Sequence, residues 1–144
     1  MGDIVGLTTL KKPDGTGLIY GSTVAQNISL FYKDLIKNTG AFLTENTLPE
    51  KCVWSKKNTD TLYCAVPRVI PISNYPETWY QGLVSFSDNL LKINTKTGAI
   101  DMLIDPTVEA GQAIDGIKLS LDDKENYLIF INKKDSSLWS LELK

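Results

Sequence analysis

Asp122-Asp123-Lys124-Glu125-Asn126-Tyr127-Leu128-Ile129-Phe130 sets a polar, charged turn directly before a short apolar run, and the same pattern occurs twice more. Lys11-Lys12-Pro13-Asp14-Gly15 leads into Leu18-Ile19-Tyr20, and Lys56-Lys57-Asn58-Thr59-Asp60 leads into Leu62-Tyr63-Cys64. A polar turn followed by a short apolar run bounded by further turn residues reads as the entry to a buried strand. Recurrence of the whole arrangement outranks any single residue, because repeat architectures stack one supersecondary unit on itself. The steps between copies are roughly 45 and roughly 65 residues, and roughly 45 is the length of one four-stranded propeller blade.

Worked outward from these turns, each unit resolves into strands. The first has Ile4 to Leu10, Gly17 to Thr23, Ile28 to Leu35 and Ala41 to Thr44; the second has Cys52 to Trp54, Leu62 to Val66, Leu90 to Ile93 and Ala99 to Ile104. Asn38-Thr39-Gly40-Ala41 and Lys96-Thr97-Gly98-Ala99 are hairpin signals, with Gly40 and Gly98 expected to supply the positive φ of the turn. The third unit has Ile114 to Leu119, Tyr127 to Ile131 and Leu138 to Leu143, with no fourth strand after them. The expected fold is all-β: one propeller-like domain over 1–144, in four-stranded antiparallel blade units of about 1–48, 49–108 and 109–144, the last incomplete.

Closed propellers have about 4 to 8 blades, so this set cannot close an ordinary ring alone. The preferred expectation is a C-terminal segment of a longer propeller with N-terminal blades missing; homo-oligomerisation and an open array are the alternatives. A plain β-sandwich is the competing fold, although it has no need of repeated turn chemistry. The last strand is expected to leave an edge open, or to borrow a strand from Ile4 to Leu10 or another copy.

Composition narrows the function classes. With 144 residues, 42% of them hydrophobic, there is apolar material for a core. A net charge of -2 and the absence of any basic block argue against nucleic-acid binding. No stretch reaches the roughly 18 apolar residues of a membrane-spanning helix, so no membrane insertion is expected within this chain. Met1-Gly2-Asp3-Ile4 lacks a signal-peptide pattern, which suits either a cytoplasmic chain or a piece whose export signal lies elsewhere. Histidine is absent, which removes the Ser-His and Cys-His catalytic arrangements and the commonest metal ligand. No catalytic residue, metal site or cofactor is expected.

Ser120-Leu121-Asp122-Asp123-Lys124-Glu125-Asn126-Tyr127-Leu128-Ile129-Phe130, followed by Asp135-Ser136-Ser137-Leu138-Trp139-Ser140-Leu141, resembles the WD40-like, TolB-type β-propeller repeat. Trp54-Ser55 and Pro13-Asp14-Gly15 look like further pieces of the pattern. The resemblance is closest to uncharacterised bacterial, envelope-associated propeller domains. It implies an extracytoplasmic or envelope setting, with a cytoplasmic one as the alternative, and a protein or peptide partner. Related blades also serve as accessory domains of peptidases.

Within the second unit the residues from Pro67 to Gly82 interrupt the strands, and loops on a rigid scaffold are where binding groups gather. Tyr75, Trp79 and Tyr80 are candidate partner anchors with Arg68 as a polar companion, against the alternative that Trp79 and Tyr80 plug the loop onto its own blade. Cys52 and Cys64 lie symmetrically about Asn58, which opposes them in a hairpin as either a cross-strand disulfide or two buried thiols. Trp54 and Trp139 are expected in the core between blades. Asp101, Asp105, Asp115, Asp122 and Asp123 read as solvated turns, since their spacing matches no calcium loop.

The functional expectation is therefore a non-catalytic protein- or peptide-binding propeller scaffold within a larger envelope-associated protein. The alternatives are an accessory segment of a peptidase or glycosidase, or a carbohydrate-binding module; carboxylate-only glycosidase chemistry needs just two acids.

Overall fold

The computed structural model describes residues 7–143. The order along the chain is β1 (Thr8–Lys11), β2 (Gly17–Val24), β3 (Asn27–Asp34), β4 (Thr39–Phe42), a 3-10 turn (Pro49–Lys51), β5 (Cys52–Trp54), β6 (Thr61–Pro67), α1 (Glu77–Tyr80), β7 (Asp88–Asn94), β8 (Ile100–Ile104), α2 (Pro106–Glu109), β9 (Gly116–Leu121), β10 (Tyr127–Asn132) and β11 (Ser137–Glu142). Three antiparallel sheets result, ordered β1-β2-β3-β4, β5-β6-β7-β8 and β9-β10-β11. Each is a meander of consecutive strands. The three polar turns all join the first strand of a sheet to its second.

The sheets stack face to face, and the middle one explains why. Every residue of β6 is buried, as a strand covered on both sides must be. Leu62, Cys64 and Val66 meet Ile19 and Leu30 of the first sheet in one core, together with Trp54, Leu91 and Ile93. The alternate residues Tyr63 and Ala65 meet Leu119, Leu128 and Phe130 of the third sheet in another, where Trp139 packs partly buried. Two dry interfaces on opposite faces of one sheet exclude the sandwich, which has one.

Cross-links among the turns hold their common end. Lys12 Nζ lies 3.3 Å from Asp60 Oδ1. Glu125 accepts from Ser55 Oγ at 2.5 Å and from the amides of Lys56 and Lys57 at 2.8 and 3.1 Å. First, second and third turns thus touch in succession.

Two sequence expectations are corrected. Gly40 lies inside β4, and the left-handed residue of that turn is Asn38 at φ 54°; only Gly98, at φ 79°, plays the role expected of both. Left-handed residues follow four positions after a strand-ending Asp or Asn in all three sheets: Asp34 to Asn38, Asn94 to Gly98, Asn132 to Ser136. The Asp34 and Asn94 side chains each accept two turn amides at 2.9–3.0 Å, which sets the turn without glycine's help. Secondly, β1 pairs with β2 of its own sheet and does not complete the third. Residues 4–6 of that expected strand lie outside the described residues. Among the described residues β11 pairs with β10 alone, so no described strand covers its other edge.

Candidate functional site

Strand alternation sends the polar turns to one end of the stack and the longer connections to the other. The Pro67–Asp88 connection lies at that second end with the segments leading into β5 and β9. Within it α1 is a single turn entered from Pro76 after a cis Tyr75–Pro76 peptide. Tyr75 and Trp79 are turned inward, 1% and 3% exposed, and pack with Phe86, Leu48 and Ile28 of the first sheet, with Ile117 of the third against them. The loop therefore bridges all three sheets, where plugging onto its own blade alone had been considered.

This burial corrects the assignment of Tyr75 and Trp79 as partner anchors, since a side chain sealed in a core offers no area to a partner. Tyr75 donates its hydroxyl to the Pro71 carbonyl, and burial holds that hydroxyl's pKa above the usual tyrosine value. Tyr80 is exposed, and its hydroxyl donates to Glu50; burial of the phenol oxygen and that carboxylate raise its pKa. Arg68 stands elsewhere, bonded to Asn89 Oδ1 at 3.2 Å and Thr107 Oγ1 at 2.5 Å and ion-paired with Asp105, which caps α2. The four proposed residues do not form one surface.

Under the loop lies a cluster that sequence reading missed. Lys51 Nζ is 2.7 Å from Asp88 Oδ2 and 2.5 Å from Asp115 Oδ1, and all three side chains are fully buried. The indole N–H of Trp79 and the Phe86 amide donate to Asp115 Oδ2 at 2.9 and 3.1 Å, and the Gly116 amide to Asp88 Oδ2 at 2.7 Å. Lys51 also lies 5.2 and 5.4 Å from the ring centroids of Trp79 and Phe86. One lysine balances one carboxylate; the second is left buried with a net charge. Burial accordingly pushes Asp88 up to about 6 against the opposing pull of Lys51. Asp115 had been expected in a solvated turn. A usable signal was Asp115-Gly116, because a β-carbon at Gly116 would sit 2.9 Å from that of Ala65, marking a close approach of chains.

At the turn end, a cleft of about 260 Å³ between the first two sheets is lined by Lys12, Thr16, Tyr32, Thr59, Asp60 and Lys96 among others. Lys12 is buried against the rings of Tyr32 and Trp54. Burial pulls its pKa down, but hydrogen bonds to Tyr32 and Asp60 prevail and hold it above the usual lysine value. Cys52 and Cys64, opposed in the β5–β6 ladder, are joined as a disulfide inside the first inter-sheet core.

No protein-family model matches the sequence, and no curated protein matches it. Among solved structures, the chain superposes on TolB from Acinetobacter baumannii over 93% of its length at TM-score 0.57 and 12% identity. The fold is that of β-propeller blades. Hydrazine synthase of Kuenenia stuttgartiensis aligns with 93% of the chain at TM-score 0.61 and 17% identity. Oligogalacturonate lyase from Vibrio parahaemolyticus aligns with 96% at TM-score 0.57 and 10% identity. The chain spans 29%, 39% and 36% of these three proteins, respectively, and at such identities the likeness is one of fold.

Proposed function

We propose that the chain is a non-catalytic interaction module of propeller blades, working in an extracytoplasmic, envelope-associated protein, that takes an extended peptide or protein segment along β11. The observation that carries this reading is the edge of β11 that no described strand covers, in a sheet that among the described residues has three strands beside two sheets of four. A row of unpaired N–H and C=O groups is a template for one further strand, the mode in which main-chain hydrogen bonds give affinity and alternate side chains give specificity. Along this edge Leu138 and Ser140 face outward, alternating with Trp139 and Leu141, which pack into the core. The disulfide supports an oxidising compartment.

A non-catalytic role is supported by the buried acids. Asp88 and Asp115 share Lys51 and are sealed from solvent, which suits fastening the loop and not acid–base chemistry on a substrate. The burial of Tyr75 and Trp79 takes both off the surface, which favours the edge as the binding element.

Panning a displayed library of extended peptides against the chain tests the reading. Binders of alternating apolar pattern are expected, and their binding should slow hydrogen exchange of the amides from 137 to 142. Failure to recover binders, or protection confined to other strands, overturns it.

A further inference from the structure

The chain crosses from the first sheet to the second through residues 43–48, and this crossover is fastened on both sides of its middle. Leu43 enters the core between the two sheets, Leu48 enters the core beneath the 67–88 connection, and Thr47 donates its hydroxyl to the Ala65 carbonyl at 2.7 Å. Glu45 stands between these anchors, half-buried. Every other buried or half-buried carboxylate among the described residues has a hydrogen-bond or ion-pair partner; Glu45 has none. A carboxylate held partly out of water without a partner is costly, and it attracts a cation more strongly than an exposed one does.

Glu45 is common to two cavities, of about 430 and 390 Å³, that meet along the seam of the first two sheets. Val66, Leu91, Ile100 and Met102 give the first an apolar wall, the methionine 61% exposed. The second adds the short polar side chains of Ser29, Thr44 and Asn46. Among the described residues Arg68 is the one cation lining either cavity, and it is engaged elsewhere, by Asn89, Thr107 and the carboxylate of Asp105. Asp105 balances its charge. The groove is thus left with the unbalanced charge of Glu45 beside an apolar wall.

We propose that this groove binds a small aliphatic amine, its primary ammonium on Glu45 and its hydrocarbon stem along Val66, Leu91, Ile100 and Met102. An ammonium group donates three hydrogen bonds, and the Glu45 carboxylate with the oxygens of Ser29, Thr44 and Asn46 supplies acceptors for them. The carboxylate selects a cation over a neutral or anionic ligand, and the wall selects a stem over a bare ammonium ion. Each cavity falls within the range of about 300–1,000 Å³ usual for small-molecule sites. Both sides of the groove come from the first and second sheets, so the site is separate from β11 in the third.

Titrating the isotope-labelled chain with hexylamine at neutral pH, followed by amide proton–nitrogen correlation spectra, is the test. Saturable shifts are expected at the amides of residues 45, 46, 68 and 102 and not at 137–142, so this site and the β11 edge fail separately. Hexanol, which carries the same stem without the charge, should bind at least about tenfold more weakly. Glu45→Gln should weaken hexylamine at least about tenfold, while Glu77→Gln, a change at an exposed carboxylate, leaves it unaffected. Affinity should rise about twofold to fourfold per methylene from propylamine to hexylamine, and Met102→Ser should flatten that rise without weakening propylamine. Absence of saturable shifts at those amides overturns the proposal, as does equal binding of hexanol or indifference to Glu45→Gln. Tighter binding of Nα-acetyl-lysine N-methylamide than of hexylamine overturns it too, in favour of a lysine side chain on a peptide.

Discussion

Glu125 reaches from the turn of the third sheet to the turn of the second and accepts the hydroxyl proton of Ser55 at 2.5 Å, across 70 positions of sequence. It does so from a left-handed backbone, φ 56°, at the place in its turn that Gly15 fills in the first sheet at φ 76°. A non-glycine residue there costs about 1–2 kcal/mol. The carboxylate's bonds to Ser55, Lys56 and Lys57 offset that cost. The turn thus gives up the easier backbone residue for a side chain that ties two sheets together.

Glu125→Gln should lower stability by about 1 kcal/mol at neutral pH, the lower end for hydrogen bonds to a charged group because the site is partly exposed. Burial pushes this carboxyl's pKa up, but bonding to Ser55 and to the two amides prevails and holds it below the usual glutamate value. A depressed folded pKa contributes stability that is present above the unfolded value and lost as pH falls through the folded one. Urea melts of parent and variant should therefore differ near pH 7 and converge in acid, below the usual glutamate range. A gap that persists unchanged into acid would contradict the charge-assisted bond.

The Cys52–Cys64 bond closes a loop with a sequence separation of 12. Loop-closure entropy for that length is worth about 3 kcal/mol. Replacing both residues by alanine should cost about that much, plus a smaller packing loss, since both sulfurs lie in the core between the first two sheets. Denaturation midpoints with and without reductant check it: reductant should lower the parent's midpoint and leave the double variant's unchanged.

The stack was legible because its signals are local. A polar turn before Leu62-Tyr63-Cys64-Ala65-Val66 marks a strand apolar on both sides, and such a strand needs cover on both faces. The role of the 67–82 loop was not, because an aromatic side chain looks alike in sequence whether it faces a partner or a core. What decides for Trp79 is Asp115, 36 positions away, whose carboxylate accepts the indole N–H. Lys51, Asp88 and Asp115 were invisible as a cluster since each sits beside ordinary turn residues and only the tertiary fold joins them. The hairpins show the opposite failure: Gly40 drew attention by its residue type, while Asp34 four positions before Asn38 carried the geometry.

Trp79→Ala should cost about 3–5 kcal/mol of folding stability, the usual loss for truncating a buried large aromatic residue. The variant also strips Asp115 of a donor and Lys51 of an aromatic neighbour. Tyr80→Ala removes a side chain that is 53% exposed and should cost under about 1 kcal/mol. Guanidinium melts of the two variants beside the parent separate a plug from an anchor without any partner. Equal, small losses would return Trp79 to the surface and undo the loop's placement.

Asp88 gives the pH dependence of the same cluster. Its carboxyl is raised to about 6 by burial, against an ordinary value of 3.8 that it regains on unfolding. Between those values the folded chain binds more protons than the unfolded chain, so this group's contribution to stability falls as pH rises. The contribution is complete below about pH 4 and gone above about pH 6. Asp88→Asn keeps the shape, leaves Lys51 paired with Asp115, and removes the titration. The stability of the parent minus that of the variant should therefore decline as pH is raised from 4 to 6 and level off above it. A difference that grows over this interval would mean that Lys51 stabilises the Asp88 carboxylate more than burial opposes it, and a flat difference would mean that the group keeps its ordinary pKa in the fold.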